Sequence, residues 1–221
     1  MRALETLKRN PSAALLLVQL AGFLLYPLME GSLRGRTLFG VFGTIVLGTA
    51  LVVVRRSPWL TWIGILLAMP VVFLSVASVL TGRPELLVWA AGLEAVFYFY
   101  AAGGLIAYMW QDSVATTDEL FAAGATFTLL AWAFAYVFVV YQALTPGSFG
   151  GGEGAARTWV ELLFLSVAVL SSVGLSDVMP VTPMARGIVM LEAFAGVMYI
   201  TVVVSRLIGM TVAARKDARR E

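Results

Sequence analysis

The sequence predicts an all-α membrane protein with six transmembrane helices and a short re-entrant helix and loop between the fifth and the sixth. Of its 221 residues, 60% are apolar and 13% are charged, whereas about 25% are charged in a typical soluble domain. Six apolar runs approach the roughly 20 residues that cross a bilayer as a helix. A seventh apolar stretch is too short to cross.

Charged or polar residues separate the six predicted spans. Arg55 and Arg56 divide the second span from the third, and Arg83 and Pro84 divide the third from the fourth. The first span follows a basic start, as in a signal peptide, but its apolar run is long and lacks a clear cleavage site, so we expect it to be retained. The predicted spans are approximately 12–29, 37–54, 58–80, 86–110, 119–144 and 183–210.

The basic residues predict the orientation. Six spans place both termini on one side, and ten of the 15 Lys and Arg residues then lie on that side. Cytoplasmic loops carry an excess of Lys and Arg, so both termini are expected in the cytoplasm of a multi-pass protein of the plasma or inner membrane. The ten residues are Arg2, Lys8, Arg9, Arg55, Arg56, Arg206, Arg215, Lys216, Arg219 and Arg220.

The short apolar stretch 159–170 would measure about 18 Å as a helix. Thr158 and Glu161 flank its start with the spacing of a capping box, which predicts a helix beginning there. Before it, the glycine-rich stretch 146–154 predicts an exposed loop on the outer side.

After the short helix comes a polar turn, residues 171–177. Non-helical backbone at membrane depth survives only inside protein or beside water, because unpaired amides and carbonyls are costly in lipid. Such a loop can offer its carbonyl oxygens to a cation in place of water.

Residues 163–183 resemble the pore helix, filter and outer mouth of potassium channels, whose usual filter reads Thr-Val-Gly-Tyr-Gly-Asp. Residues 191–196 and 205–209 resemble the inner helix of bacterial members. The resemblance extends over about 117–210 and identifies the chain as similar to bacterial six-span potassium-channel-like proteins of the pore-loop cation channel family, with a divergent selectivity filter.

This resemblance implies a homotetramer in a lipid bilayer with the architecture of voltage-gated channels. The fourth span has no Arg or Lys, so a charged voltage sensor is not expected. The permeant ion would be a monovalent cation, potassium or alternatively sodium, with no other cofactor, no enzymatic activity and no nucleic-acid partner. Ser172, Val173 and Gly174 would bind the ion, within a filter formed by Ser171, Ser172, Val173, Gly174, Leu175, Ser176 and Asp177.

Two residues depart from the family pattern. Leu175 stands where the family has a hydrogen-bonding tyrosine, and Ser176 replaces the second glycine. Because a non-glycine residue with positive φ costs about 1–2 kcal/mol, Ser176 predicts strain and a reshaped outer filter. A non-selective or non-conducting homologue is therefore an alternative to a potassium channel.

Three residues within the spans are further candidates. Glu94 is either an ion or proton site or half of a buried hydrogen bond to a tyrosine. Glu192 either braces the back of the pore helix or senses pH. Gly196 is either a gating hinge or a close-packing position. A proton-coupled transporter that uses Glu94 and Glu192 is the remaining alternative, although no internal repeat supports it.

The predicted organisation has three parts. Residues 1–112 form a four-span N-terminal transmembrane domain, 113–210 form a pore domain, and 211–221 form a basic cytoplasmic tail.

Overall fold

A computed structural model of the chain describes residues 10–29, 33–55, 61–111, 116–150, 156–206, 208, 209 and 212. The regular elements of this part of the chain are helices and two strands of two residues each, joined by turns and loops. The elements are α1 (Pro11–Met29), α2 (Leu33–Val54), α3 (Thr61–Thr81), α4 (Glu85–Met109), α5 (Thr117–Leu144), β1 (Phe149–Gly150), α6 (Trp159–Leu170), β2 (Met179–Pro180) and α7 (Pro183–Tyr199), which continues as a π-helical turn (Ile200–Val204).

Four of these helices are long and apolar enough to cross a membrane: α3, α4, α5, and α7 with its π-helical turn. The prediction of an all-α membrane protein is therefore confirmed. In α1 and α2 the described side chains cover only Pro11–Leu25 and Phe42–Val54, too few residues to test a full span, so six spans remain a prediction. The short helix α6 occupies the predicted range.

Helix α5 lies at the centre of the fold and packs against α1, α4, α6 and α7. Alanines occupy much of its buried surface, and small side chains let neighbouring helices approach closely. Trp132 in its middle contacts rings from four other helices. Its ring centroid lies 6.5 Å from Phe23 of α1, 6.5 Å from Phe42 of α2, 5.8 Å from Tyr98 of α4 and 4.9 Å from Trp159 of α6.

Polar contacts bring three chain segments together at one end of the bundle. The Asp118 carboxylate accepts hydrogen bonds from the backbone N–H (3.2 Å) and hydroxyl (3.0 Å) of Ser12, at the start of α1. The Arg206 guanidinium donates two hydrogen bonds to the Met109 carbonyl, of 3.1 and 2.7 Å. One end of the bundle therefore contains the start of α1, the α4–α5 junction and the end of α7. The predicted topology likewise places both termini on one side.

The loop after α5 differs from its prediction. Ser148 and Phe149 are buried rather than exposed. Strand β1 pairs with β2 in antiparallel register, Phe149 opposite Pro180, and the Phe149 ring packs 5.1 Å from that of Phe138. The apolar ring and the backbone pairing draw this segment onto α5. Residues 151–155 of the predicted loop, and nearly all of the predicted tail 211–221, lie outside the described residues.

Candidate functional site

The first turn of α6 is held by its own cap and by α5. The predicted capping box is confirmed: the Thr158 hydroxyl accepts from the Glu161 N–H, and the Glu161 carboxylate accepts from the Thr158 N–H. The Gln142 side chain of α5 bonds both backbone groups of Arg157, at 2.7 and 2.9 Å. Burial alone would raise the pKa of Glu161, but hydrogen bonds from Thr158 and the charge of Arg157, 3.4 Å away, lower it.

The middle of α6 is fixed by one buried serine. The Ser166 hydroxyl lies 2.8 Å from the Ala131 carbonyl of α5 and also hydrogen-bonds the Glu192 carboxyl group of α7. Ser166 and Glu192 are both fully buried. Glu192 thus contacts the back of α6, which confirms the bracing contact that the sequence predicts.

The last turn of α6 rests on the backbone of α7. A Cβ atom built on Gly196 would lie 2.8 Å from the Leu170 carbonyl carbon, 2.9 Å from its Cα and closer still to its oxygen. Only a residue without a side chain permits this approach. The close-packing interpretation of Gly196 is therefore confirmed, and its role as a hinge stays a prediction.

The 171–177 loop begins with a Schellman motif that ends α6. The Val173 N–H bonds the Ala168 carbonyl (3.0 Å), and the Ser172 N–H bonds the Val169 carbonyl (2.9 Å). Ser172 takes the left-handed conformation that this motif requires, with φ of 62°. The Gly174 N–H also bonds the Ala168 carbonyl, at 2.9 Å.

These bonds set the direction of three successive carbonyls. In a planar trans peptide, the N–H and the preceding C=O point in opposite directions. Because the amides of Ser172, Val173 and Gly174 point into the end of α6, the carbonyls of Ser171, Ser172 and Val173 point away from it. Of these three residues, Ser172 and Val173 are exposed and Ser171 is half-buried.

The backbone strain lies at a different serine from the one predicted. Ser172 is the non-glycine residue with positive φ in the described ranges, and Ser176 is not. The Ser176 hydroxyl instead accepts from the Val178 N–H at 3.1 Å. The prediction that Ser176 would carry a glycine-like backbone is wrong, because this side-chain bond stabilises an ordinary turn. Gly174 has φ of 69°, which glycine adopts without strain.

The outer part of the loop opens into a groove of about 580 Å³ lined by Val160, Glu161, Phe164, Leu175, Ser176 and Asp177. Leu175 is 71% exposed, and Asp177 is also exposed. Val178 is fully buried and anchors the end of the loop. The Tyr141 and Thr182 hydroxyls, 3.0 Å apart, hold the following segment against α5.

The backbone of α6 contributes negative charge to this site. The C-terminal end of a helix carries a partial negative charge of about half an elementary unit, and α6 directs that end at the 171–177 loop. Among the described residues, no group of three or more His, Cys, Asp or Glu side chains could hold a metal ion. The 171–177 loop itself presents main-chain carbonyls, three serine hydroxyls and the Asp177 carboxylate.

Glu94 belongs to a different cluster. Its carboxylate hydrogen-bonds Tyr136 of α5, as one of the two interpretations of the sequence predicts. The Tyr136 ring stacks on Tyr98 at 5.8 Å and lies 5.7 Å from Trp159 at the start of α6. These partners lie on α4, α5 and α6, so the structure does not bring Glu94 together with the 171–177 loop.

Three residues make contacts that the sequence did not predict: Ser166, Trp132 and Arg206. Beyond the first turn of α6, which contains Glu161, Ser166 is the one polar residue of this helix. A buried hydroxyl needs a partner, so this signal was available in the sequence. The many contacts of Trp132 and the link from Arg206 to Met109 join residues far apart in sequence, and no local pattern indicates them.

Comparison with known proteins completes the assignment. Residues 95–213 match the model of a family described as ion channel, and this range is more than half of the chain. No curated protein and no solved structure matches the chain. The matched range begins within α4, includes α5, α6, the 171–177 loop and α7, and ends beyond the π-helical turn. This protein, with its long apolar helices, is a membrane protein that belongs to the ion channel family.

Proposed function

We propose that the chain assembles as a homotetrameric cation channel and that the 171–177 loop is its selectivity filter. The observation that carries this proposal is the row of three carbonyls, from Ser171 to Val173, turned away from α6. Four such rows around a shared axis would replace the hydration shell of an ion. The predicted ligand set of Ser172, Val173 and Gly174 overlaps this row and is retained in the proposal.

The electrostatics support a cation rather than an anion. The negative end of α6 faces the loop. The half-buried carboxylate of Glu161, which is paired with Arg157, and the exposed carboxylate of Asp177 border the outer groove. Asp177 would raise the local concentration of cations at the outer mouth.

The surface of α7 supports assembly. A run of large apolar side chains is exposed on this helix in the single chain, and these side chains need lipid or a second copy to cover them. Ring closure by four copies would bring four loops onto one axis. The exposed residues are Met184, Met190, Leu191, Phe194, Val197 and Met198.

Two glycines offer a matched test of the filter. Gly174 in the loop and Gly82 in the α3–α4 turn both have positive φ, 69° and 65°, and a Cβ would meet nothing within 4 Å at either. Gly174→Ala and Gly82→Ala therefore introduce a similar backbone strain, about 1–2 kcal/mol, with no steric clash in the single chain.

The assay is potassium and sodium flux in proteoliposomes. Gly174→Ala should abolish flux or change the ratio of the two ions, while Gly82→Ala keeps the native flux. If both variants and the native protein show equal flux, the 171–177 loop is not the selectivity filter. Native mass spectrometry in detergent measures the number of copies, and a conducting monomer would contradict the tetramer.

A non-selective or non-conducting homologue is the second candidate. It is favoured by Leu175, whose exposed aliphatic side chain cannot make the hydrogen bond that the family's tyrosine makes. Equal potassium and sodium flux would support loss of selectivity, and no flux of either ion would support loss of conduction. If the protein were instead a proton-coupled transporter that uses Glu94, the Glu94→Gln variant would lose transport.

The six-span topology, with cytoplasmic termini and the division at residues 112 and 113, is part of the same proposal. The chain has no cysteine, so single cysteines can report the sidedness of exposed positions. We expect Arg83→Cys to react with an impermeant thiol reagent from outside the cell. Gln111→Cys should react only after the membrane is permeabilised. The reverse pattern would show that the chain has the opposite orientation.

A further inference from the structure

The hydroxyl of Ser166 lies between two oxygen atoms but has only one hydrogen to donate. One neighbour is the Ala131 carbonyl, 2.8 Å away, which can only accept. The other is an oxygen of the Glu192 carboxyl group, which accepts when ionised and can donate when protonated. With an ionised Glu192, the Ala131 carbonyl and the Glu192 carboxylate would compete for the one hydrogen of Ser166. Whichever acceptor did not receive it would be repelled by the buried Ser166 oxygen.

The surroundings of Glu192 also disfavour a charge. Glu192 is fully buried, and its second oxygen has no hydrogen-bond partner among the described residues. The ion pair found in the described part of the chain, Arg157 with Glu161, does not involve it. A buried carboxylate without a counter-charge is strongly unfavourable, whereas a neutral acid needs no counter-charge.

We infer that Glu192 is a neutral carboxylic acid that donates its proton to Ser166, and that Ser166 donates its own hydrogen to Ala131. The two hydrogen bonds then run in one direction, from α7 through α6 to α5. Every hydrogen has an acceptor, and no charge is buried.

This chain of hydrogen bonds makes Glu192 a positioning residue for the 171–177 loop. Ser166 lies two residues before Ala168, whose carbonyl holds the amides of Val173 and Gly174. A displacement of α6 at Ser166 would move that carbonyl and the loop with it. This consequence for conduction rests on the proposed channel function, whereas the protonation of Glu192 does not.

Four variants separate the possibilities. Glu192→Gln keeps the shape and an N–H donor without any titratable proton. Glu192→Ala removes the donor, and Ser166→Ala removes the relay. Glu94→Gln is the control for a second intramembrane acid on a different helix pair.

The direct measurement is infrared difference spectroscopy of the purified protein at neutral pH. Native protein minus Glu192→Gln should show the carbonyl-stretch band of a protonated carboxylic acid. Ser166→Ala should shift that band, because the acid loses its acceptor, and Glu94→Gln should leave it in place. If the band lost in the native-minus-Glu192→Gln difference is that of a carboxylate, or if no acid band is lost, the inference is overturned.

Function provides the second readout. Glu192→Gln should have the melting temperature and the ion flux of the native protein. Glu192→Ala should have a lower melting temperature and a lower ion flux. If Glu192→Gln fails as Glu192→Ala does, the neutral donor is refuted. If the native protein conducts no ion while the acid band and the stability of Glu192→Gln are as expected, the channel proposal fails and the inference about Glu192 stands.

Discussion

Replacing Gly196 with alanine should push α7 away from the end of α6. The added methyl group would lie 2.8 Å from the Leu170 carbonyl carbon and 2.9 Å from its Cα. Both are backbone atoms, so no rotamer change can relieve the contact. One of the two helices must move.

The magnitude follows from two opposing effects. Overpacking a well-packed contact costs about 1–3 kcal/mol, and exchanging glycine for alanine within a helix gains up to about 1 kcal/mol. Because the clash is with backbone atoms that cannot rotate away, the cost lies at the upper end, about 2–3 kcal/mol, and subtracting about 1 kcal/mol leaves a net loss of about 1–2 kcal/mol per chain. For a protein of this size, each kcal/mol lowers the melting temperature by about 2–4 °C.

Thermal unfolding in detergent measures this loss, with Gly48→Ala as the control. Gly48 lies within α2 on an exposed face, and a Cβ there would meet nothing within 4 Å. We expect Gly48→Ala to keep or slightly raise the melting temperature and Gly196→Ala to lower it by several degrees. Equal melting temperatures for Gly196→Ala and the native protein would refute the backbone contact between α6 and α7.

Ion flux through the same variant separates the two roles considered for Gly196. A packing role predicts that Gly196→Ala loses stability and flux together, because the end of α6 carries the 171–177 loop. A hinge alone predicts altered opening with an unchanged melting temperature.

Three further changes test other contacts. Arg206→Ala should lower stability by about 1–3 kcal/mol, because it removes two charge-assisted hydrogen bonds to Met109. Arg206→Lys should lose less stability, and equal melting temperatures for the two variants would contradict the role of these hydrogen bonds. Ser172→Gly should raise the melting temperature, because glycine removes up to about 1–2 kcal/mol of left-handed strain, while Ser172→Ala, which keeps the Cβ, should not. The lowered pKa of Glu161 means that its ionised form stabilises the fold above the ordinary glutamate pKa of about 4.3, and that this stabilisation is lost as acid protonates it. Glu161→Gln should therefore show a smaller fall in melting temperature on acidification than the native protein, and an unchanged fall would argue against a stabilising bond to Thr158.

Much of the helical framework could be predicted from the sequence because its signals are local. Apolar length indicates a membrane helix, and the residues at a helix start determine its cap, as with Thr158 and Glu161. The prediction that Glu94 pairs with a tyrosine also followed from one principle, that an unpaired acid is costly in lipid. Which tyrosine it would be, Tyr136, depends on how α4 packs against α5.

Local signals were thus enough to predict an all-α membrane protein with one short capped helix and a polar loop after it. The tertiary structure alone decided which serine of that loop turns left-handed and how its carbonyls point, because the Ala168 carbonyl takes up two of the loop's amides. It also decided the bridge from Glu192 through Ser166 to Ala131. Hydrogen bonds between residues distant in sequence depend on the approach of whole helices, and no local pattern of side chains specifies that approach.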